Sequence, residues 1–267
     1  MKKILIIAIL WLPELLSASQ AEIGLELLPK GRPFRRTFAD PREIKMALAF
    51  EGDSRILASI GNYFSLFSIR PVNDGNWDLH FGLEGAGYFS MKKAEDQFPL
   101  ETADGLLGAY VEGKLNWWQW QVRLQHISAH LADGTQAQGD GTPYSREVLT
   151  VRHAAVPIEQ LQLYAGVSYL VNSHPQVDRW IYQLGLNAFL PAEGQVLVPF
   201  LGSDVKWRQD SPHNPALSLQ FGVALNNPPE SYRSFRFFYQ YYTGGDNRGK
   251  FFAELITTHA FGIEMQI

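Results

Sequence analysis

The sequence contains no cysteine, no excess of basic residues and, after its first residues, no long apolar run. Without cysteine, a disulfide framework and the lipidated cysteine of a lipoprotein are both excluded. The formal net charge is -4 and no basic block is present, so we expect no nucleic-acid partner. No later segment approaches the roughly 18 consecutive apolar residues of a transmembrane helix. A membrane location would therefore require a β-barrel.

The first residues, MKKILIIAILWLPELLSASQA, have the order of a secretory signal. Two lysines precede an apolar run, and the segment ends at Ser19, Gln20 and Ala21. This arrangement is typical of a cleaved signal peptide. We therefore expect residues 1–21 to be removed and the mature chain to be exported.

From residue 44 to residue 267, apolar and polar side chains alternate in short runs that Gly, Asn, Asp and Pro separate. This period of two predicts strands, and helical periodicity is almost absent. Many runs have about ten residues or more, the length of a tilted strand that crosses a bilayer. We count about twelve strands, near 44–50, 59–69, 77–89, 105–116, 118–131, 146–156, 161–171, 180–190, 196–208, 216–226, 235–242 and 253–267.

Long connections such as MKKAEDQFPLETAD and DGTQAQGDGTPYS alternate with tight ones such as VNDGN and PIEQ. This predicts an all-β fold: an antiparallel transmembrane β-barrel of about 12 strands over residues 44–267, with short periplasmic turns and longer extracellular loops. We expect it in the outer membrane of a Gram-negative bacterium, in contact with lipid or lipopolysaccharide. The C-terminal HAFGIEMQI resembles the terminal-strand signal of the barrel assembly machinery, a partner that we expect during biogenesis.

One face of the predicted strands is polar and carries charges of both signs, as a barrel lumen does. Either these side chains pair across strands and fill a narrow lumen, or they line a small solute path. Residues 22–43 form a lead-in that contains Lys30, Arg32, Arg35 and Arg36. The lead-in either plugs the barrel, stays in the periplasm or contacts anionic headgroups. The candidate lumen residues are Glu112, Lys114, Gln121, Arg123, Gln125, Asp204, Lys206, Arg208, Arg236 and Glu254.

Three segments resemble a family of bacterial exported proteins, the domain of unknown function 1207. They are RRTFADPREIKMALAF, FPLETADGLLGAYVEGKLNWWQWQVRLQHISAHLADG and FRFFYQYYTGGDNRGKFF. The family has a His-x-Ser-x-His-Leu-Gly-Asp type of run in the second segment, where this chain has Ala132 in place of the commoner glycine. The resemblance extends from about residue 34 to residue 252. It implies an outer-membrane barrel and brings no established activity.

Within WWQWQVRLQHISAHLADG, the apolar face of the strand continues into His126, Ser128 and His130. These side chains should therefore face lipid at the extracellular end of an upward strand. A lipid-facing His-x-Ser pair resembles two outer-membrane lipid hydrolases, phospholipase A and the lipid A deacylase, in which it supplies base and nucleophile. Those enzymes continue with Asn after Ser, whereas Ala129 follows here. Because Glu147 shares the outward phase of the next strand, it is the candidate that orients His126.

These observations leave three functions open. We favour a non-enzymatic envelope protein, either a narrow channel or a structural or interaction barrel. The second is an outer-leaflet acyl-ester hydrolase with Ser128, His126 and Glu147, and the third is a soluble secreted β-protein. We expect no cofactor and no metal, because His126 and His130 lie roughly 13 Å apart along a strand. A shared ion would need further ligands such as His153.

Overall fold

The computed structural model describes residues 22–52, 54–72, 75–132, 144–190, 194, 196–225 and 234–266. The predicted signal peptide, residues 1–21, lies outside the described residues. So does most of the predicted long loop between residues 132 and 144. Among the residues that are described, no helix is both long enough and apolar enough to cross a membrane.

Twelve antiparallel strands, β2 to β13, close into a ring in the described part of the chain. Strands that follow one another in sequence pair with each other, and β13 pairs with β2 through Phe261 opposite Phe50 and Met265 opposite Met46. The predicted 12-stranded antiparallel barrel is thereby confirmed. The strands are β1 (Ile23–Leu27), β2 (Met46–Glu51), β3 (Arg55–Pro71), β4 (Trp77–Lys92), β5 (Leu100–Leu115), β6 (Trp118–Leu131), β7 (Tyr144–Ile158), β8 (Leu161–His174), β9 (Trp180–Phe189), β10 (Leu197–Arg208), β11 (Ala216–Leu225), β12 (Ser234–Gly245) and β13 (Leu255–Gln266).

The two ends of the barrel differ in their connections. One end, here called the loop end, is where β4 is followed by β5, β6 by β7, β8 by β9, β10 by β11 and β12 by β13, the last connection having a 3-10 helix at Gly249–Phe251. The opposite end, here called the turn end, has the tight turns 116–117 and 159–160. Three departures from the alternation are the short connection between β2 and β3 at the loop end and the longer connections between β9 and β10 and between β11 and β12 at the turn end.

The sequence interpretation missed β1 and misplaced some strand ends. β1 pairs only with β3, outside the ring, where Ile23 lies opposite Pro71. Ile44 is not in the first barrel strand, because that strand begins at Met46 and Ile44 is buried in the lumen. The poor alternation of SIGNYFSLFSI has a structural cause, since β3 changes register between Ser65 and Phe67. A bulge of this kind shifts the side chains that follow it to the opposite faces.

The outer wall is apolar. Large apolar side chains remain exposed on strands all around the ring, as period-two alternation requires of a barrel with a polar interior. Soluble monomers rarely expose a continuous apolar surface of this extent. The exposed residues include Phe50, Ile60, Phe64, Leu83, Leu107, Leu124, Leu149, Val167, Leu184, Leu201, Phe221, Phe237 and Phe261.

Residues 32–45, here called the N-terminal plug, lie inside the lumen. Three buried apolar clusters lie inside the barrel, and each contains one apolar side chain of the plug: Phe34, Phe38 or Ile44. The backbone of the plug is also bonded to the wall. The amide of Phe38 donates to Asn187 Oδ1 at 2.9 Å, and Asn187 Nδ2 donates to the carbonyl of Arg36 at 2.9 Å. The predicted lead-in therefore occupies the lumen from Arg32 onward, whereas Lys30 is exposed.

Buried ion pairs hold the plug against the wall. Arg152 on β7 binds Asp40 at 3.0 Å and Glu43 at 3.1 Å, and Lys206 on β10 binds Asp40 at 2.5 Å. At the turn end, Arg32 pairs with the buried Glu112 of β5. Because an isolated buried charge is costly, each acid on the plug requires its base on the wall.

We predict that Asp40→Asn destabilises the barrel. Asp40 is fully buried, so its loss leaves Arg152 and Lys206 without their full counter-charge. Breaking a buried pair in this way costs about 3–5 kcal/mol. The free energy of unfolding, measured by denaturant titration of the detergent-folded protein, should therefore decrease by about 3–5 kcal/mol. Asp96→Asn, in the exposed connection 93–99, is the matched control. Equal stabilities for the two variants would contradict the prediction.

A second prediction concerns acid stability. Burial alone raises the pKa of Glu43, but Arg152, Arg123 and a hydrogen bond from Tyr63 lower it to about 2. The ionised form therefore stabilises the fold above the usual glutamate pKa, and this stabilisation is lost as the pH falls toward 2. The free energy of unfolding of the wild type should decrease from pH 5 to pH 2, and that of Glu43→Gln should decrease less. Parallel pH profiles would show that Glu43 does not contribute.

Candidate active site on the outer wall

Strand β6 separates two sets of polar side chains. Gln121, Arg123 and Gln125 point into the lumen and are buried. Leu124, exposed on the outer wall, has the same phase as His126, Ser128 and His130, which also point outward. The His-x-Ser-x-His row therefore continues an apolar stripe on the outside of the barrel, near the loop end of the strand.

Glu147 lies directly opposite His126 on the neighbouring strand β7. The two side chains are hydrogen-bonded, with 3.0 Å between His126 Nδ1 and Glu147 Oε1. The pair is on the outer wall, where the His126 side chain is 53% exposed and that of Glu147 is 34% exposed. The other carboxylate oxygen, Glu147 Oε2, is buried and has no hydrogen-bond partner among the described residues.

On the side of strand β5, no side chain lies directly beside Ser128. Its neighbour on β5 is Gly105, whereas His126 lies beside the exposed Leu107. A Cβ atom at position 105 would lie 3.4 Å from Ser128 Oγ. Because glycine leaves this space open, the serine hydroxyl is accessible from the β5 side of the wall. Glu147 reaches His126 from the opposite, β7 side.

This arrangement has the elements of a catalytic triad. A carboxylate bound to one imidazole nitrogen fixes the ring and its tautomer, so the other nitrogen can accept a proton. Here Glu147 binds Nδ1, which makes His126 Nε2 the available base. Residues two apart on a strand project from the same face with a rise of roughly 6.5–7 Å, a distance that a histidine and a serine side chain can bridge. Ser128 is in that position.

The residue after the serine is constrained from inside the barrel. Ala129 is 1% exposed and faces the lumen, where Gly249 of the 3-10 helix packs on it. A Cβ atom at position 249 would lie 2.6 Å from the Ala129 Cβ, so the contact is already close. A larger residue at position 129 would collide with this helix.

The other histidines do not join this site. His130 is exposed on the outer wall beside Ala103. His153 stacks on Trp118 near the turn end, with ring centroids 5.5 Å apart. In the described parts of the chain, no group of three or more His, Cys, Asp or Glu side chains could hold a metal ion.

Most of the predicted lumen residues are buried in ion pairs or hydrogen bonds. Arg123 binds Glu84 at 3.0 Å, Gln121 donates to Glu112 at 2.8 Å, and Arg208 binds Asp210 at 3.1 Å. Other predicted lumen residues are likewise paired or buried. Arg236 pairs with Glu264, and Lys206 binds Asp40. Asp204 accepts a hydrogen bond from Gln183 at 2.6 Å, and Gln125 is buried.

Two predicted lumen residues are placed differently. In the alternation of β5, Lys114 belongs with the inward-facing residues. It is nevertheless exposed, because it is the penultimate residue of the strand, at the turn end. Glu254 is not on a strand: it is exposed in the turn that precedes β13, which begins at Leu255 and not at Ala253. Glu254 therefore does not line the lumen.

Several functional side chains were missed by the sequence interpretation. Asp40, Glu43, Glu84 and Arg152 form the centre of the lumen network, and Gly105 makes Ser128 accessible. The alternation of their strands places Glu84 and Arg152 on the inward face, and this pattern could have identified them as lumen residues. No comparable signal existed for Asp40 and Glu43, because they lie outside any periodic segment.

The fold is similar to that of an outer membrane phospholipase A from Escherichia coli. The superposition covers 88% of this chain and 91% of that chain, with a TM-score of 0.56 and 12% sequence identity. An active-site mutant of the same protein, solved at pH 6.1, gives a TM-score of 0.55 at the same coverage and identity. At this identity the likeness concerns the fold. Among curated proteins, none matches the sequence.

A family model matches residues 13–266, nearly the whole chain. It describes proteins of unknown function, DUF1207, and it agrees with the resemblance carried by the three segments quoted above. The barrel that those segments implied is the fold observed. The chain belongs to the DUF1207 family of proteins of unknown function.

Proposed function

We propose that this protein is an outer-membrane hydrolase that cleaves acyl esters of lipids on the outside wall of its barrel. The observation that carries the proposal is the outward-facing His126–Glu147 hydrogen bond with Ser128 two residues further along β6. Ser128 is the nucleophile and His126 is the base. Glu147 is the positioning residue, because it acts through His126.

The same surface supports a membrane location. The apolar outer wall needs an apolar environment, and a 12-stranded barrel provides no exposed backbone edge in its closed part. The likeness in fold to an outer membrane phospholipase supports this location. With the loop end outside the cell, the His126–Ser128 pair lies in the outer leaflet, where the acyl esters of phospholipid and lipopolysaccharide are within reach.

The chemistry requires two acyl-transfer steps. Ser128 Oγ attacks the ester carbonyl carbon while His126 Nε2 takes the hydroxyl proton, and the alcohol part of the lipid leaves with that proton. A water molecule then attacks the acyl-serine, His126 again takes and returns a proton, and the fatty acid is released. Glu147 keeps Nδ1 protonated and stabilises the imidazolium in both steps. The open space over Gly105 provides room for the acyl group beside Ser128.

A narrow channel is less consistent with the interior. The N-terminal plug, its apolar contacts and the ion pairs of Asp40 and Glu43 occupy the lumen of the described barrel. Most of the polar residues that suggested a solute path are bound in ion pairs or hydrogen bonds inside the lumen. We therefore place the activity on the outer wall and not in the lumen.

Ser128→Ala should abolish lipid hydrolysis. Without the hydroxyl no acyl-serine can form, so fatty-acid release by the detergent-folded protein should fall by about 10³-fold or more. The assay uses phospholipid and lipopolysaccharide as separate substrates. Ser145→Ala is the matched control, because Ser145 lies directly opposite Ser128 on β7 and should be dispensable. Undiminished release by Ser128→Ala would rule out this nucleophile.

Glu147→Gln should lower kcat by roughly 10²–10⁴-fold and change KM much less. The amide keeps the size of the side chain but cannot stabilise the imidazolium. Glu147→Asp should recover part of the loss, since a carboxylate remains. If all three proteins had the same kcat, Glu147 would have no role in orienting His126.

The wild-type barrel should conduct no steady ion current in a planar bilayer, because the plug and its ion pairs close the lumen. Uniform open-channel steps from the purified protein would contradict the closed lumen. In that case Arg123→Ala, which removes the partner of Glu84, would test whether the current passes through this barrel.

A further inference from the structure

A second group of polar and aromatic side chains lies on the outer wall, at strands β8 and β9. Arg179, the residue before β9, donates from Nη1 to the hydroxyl of Tyr169 at 3.0 Å. Its Cζ atom lies 5.7 Å from the centroid of the Tyr169 ring, and the ring centroids of Tyr169 and Trp180 are 4.8 Å apart. These three residues are here called the Arg179 cluster. Tyr169 thus holds the guanidinium group against the wall.

The strand register places the Arg179 cluster beside the proposed active site. Tyr169 lies opposite Leu149, which is exposed on the outer face of β7. Two residues further along β7 is Glu147, the partner of His126. Because neighbouring strands are about 4.8 Å apart, the backbone of Tyr169 lies roughly 10 Å from β6. The cluster therefore shares the outer face of the site, on the side of β8.

The Arg179 cluster lies at the depth of lipid headgroups. β9 begins at Trp180 and runs away from the loop end, so Arg179 is at the loop-end rim of the wall. Trp180 and Tyr182 are both exposed, and their rings stack. Exposed tryptophan and tyrosine near strand ends are typical of the membrane interface. With the loop end outside the cell, the guanidinium group faces the headgroups of the outer leaflet.

Arg179 carries a positive charge that no acid neutralises in the part of the chain that the structure describes. Its side chain donates there to Tyr169, a neutral acceptor. Neither Asp178, its neighbour in the chain, nor Glu147, which binds His126, forms an ion pair with it. The other N–H groups of the guanidinium are therefore available. They match the oxygens of a phosphate group in bidentate geometry.

We propose that the Arg179 cluster binds a phosphate group of the lipid whose acyl ester is cleaved at Ser128. This inference rests on the proposed function. The phosphate lies on the side of β8 and β9, the ester lies at β6, and the acyl group extends over Gly105 on β5. The substrate is thus an anionic, phosphate-bearing lipid. Because Arg179 contacts the lipid away from the ester, it determines specificity and acts on KM more than on kcat.

The first test compares lipids with and without phosphate, using the detergent-folded barrel. Phosphatidic acid is paired with diacylglycerol, and lipid A with dephosphorylated lipid A, so the acyl esters within a pair are the same. The wild type should prefer the phosphate-bearing member of one pair by about tenfold or more in kcat/KM, and that pair identifies the source of the phosphate. Arg179→Gln should abolish this preference, mainly through KM, and Arg179→Lys should keep part of it.

Lys93→Gln is the matched control, because it removes one exposed positive charge at the same end of the barrel, beside β4. It should keep the preference for phosphate. Equal kcat/KM values within both pairs would overturn the proposal, and so would a preference that Arg179→Gln retains.

Binding without hydrolysis is measured in Ser128→Ala, as the shift in Tm with the same two pairs of lipids. The phosphate-bearing member of one pair should give the larger, saturable shift, and the added Arg179→Gln substitution should remove the difference. This result with no fatty-acid release by the wild type would mean that the proposed function fails and phosphate binding stands. Equal shifts within both pairs, with fatty-acid release by the wild type, would mean the reverse.

Discussion

The pairing of Arg152 with Asp40 and Glu43 is the interaction on which the interior of this barrel depends. The acids lie on the N-terminal plug and the base lies on the wall, so neither part can be buried without the other. Once these charges are paired, Phe34, Phe38 and Ile44 fill the remaining volume. The plug thus completes an interior to which buried apolar residues of the wall, such as Val198 and Phe200, also contribute.

A filled lumen has a consequence for the outer wall. On each strand the residues alternate between the two surfaces, so a rigid inner packing also fixes the outward side chains. In β6, Gln125 and Ala129 are buried on either side of the outward pair His126 and Ser128. The close contact of Ala129 with Gly249 holds this part of the strand from within. The proposed site on the outer wall is therefore supported from inside the lumen.

The period of two was enough to predict twelve strands, the polar lumen and the outward phase of His126, Ser128 and Glu147. The register between β6 and β7 was not predictable, because alternation excludes a slip of one residue but not a slip of two residues, which keeps every side chain on its own face. The structure aligns His126 with Glu147. Arg152 and Lys206, the bases that pair with Asp40 and Glu43, lie more than a hundred residues away, and no local pattern encodes such contacts. Glu254 was misplaced because the alternation of apolar and polar residues in the sequence of β13 extends into the turn that precedes this strand.

The most direct test of an outward-facing catalytic serine is covalent labelling of the barrel in lipid vesicles. A lipophilic fluorophosphonate, which reacts with activated serines, is added to the membrane, and the labelled peptide is identified by mass spectrometry. The label should be on Ser128, should be absent from the neighbouring Ser145, and should be lost in His126→Ala. A folded barrel whose Ser128 stays unlabelled, or is labelled equally fast without His126, would contradict an active site on the outer wall.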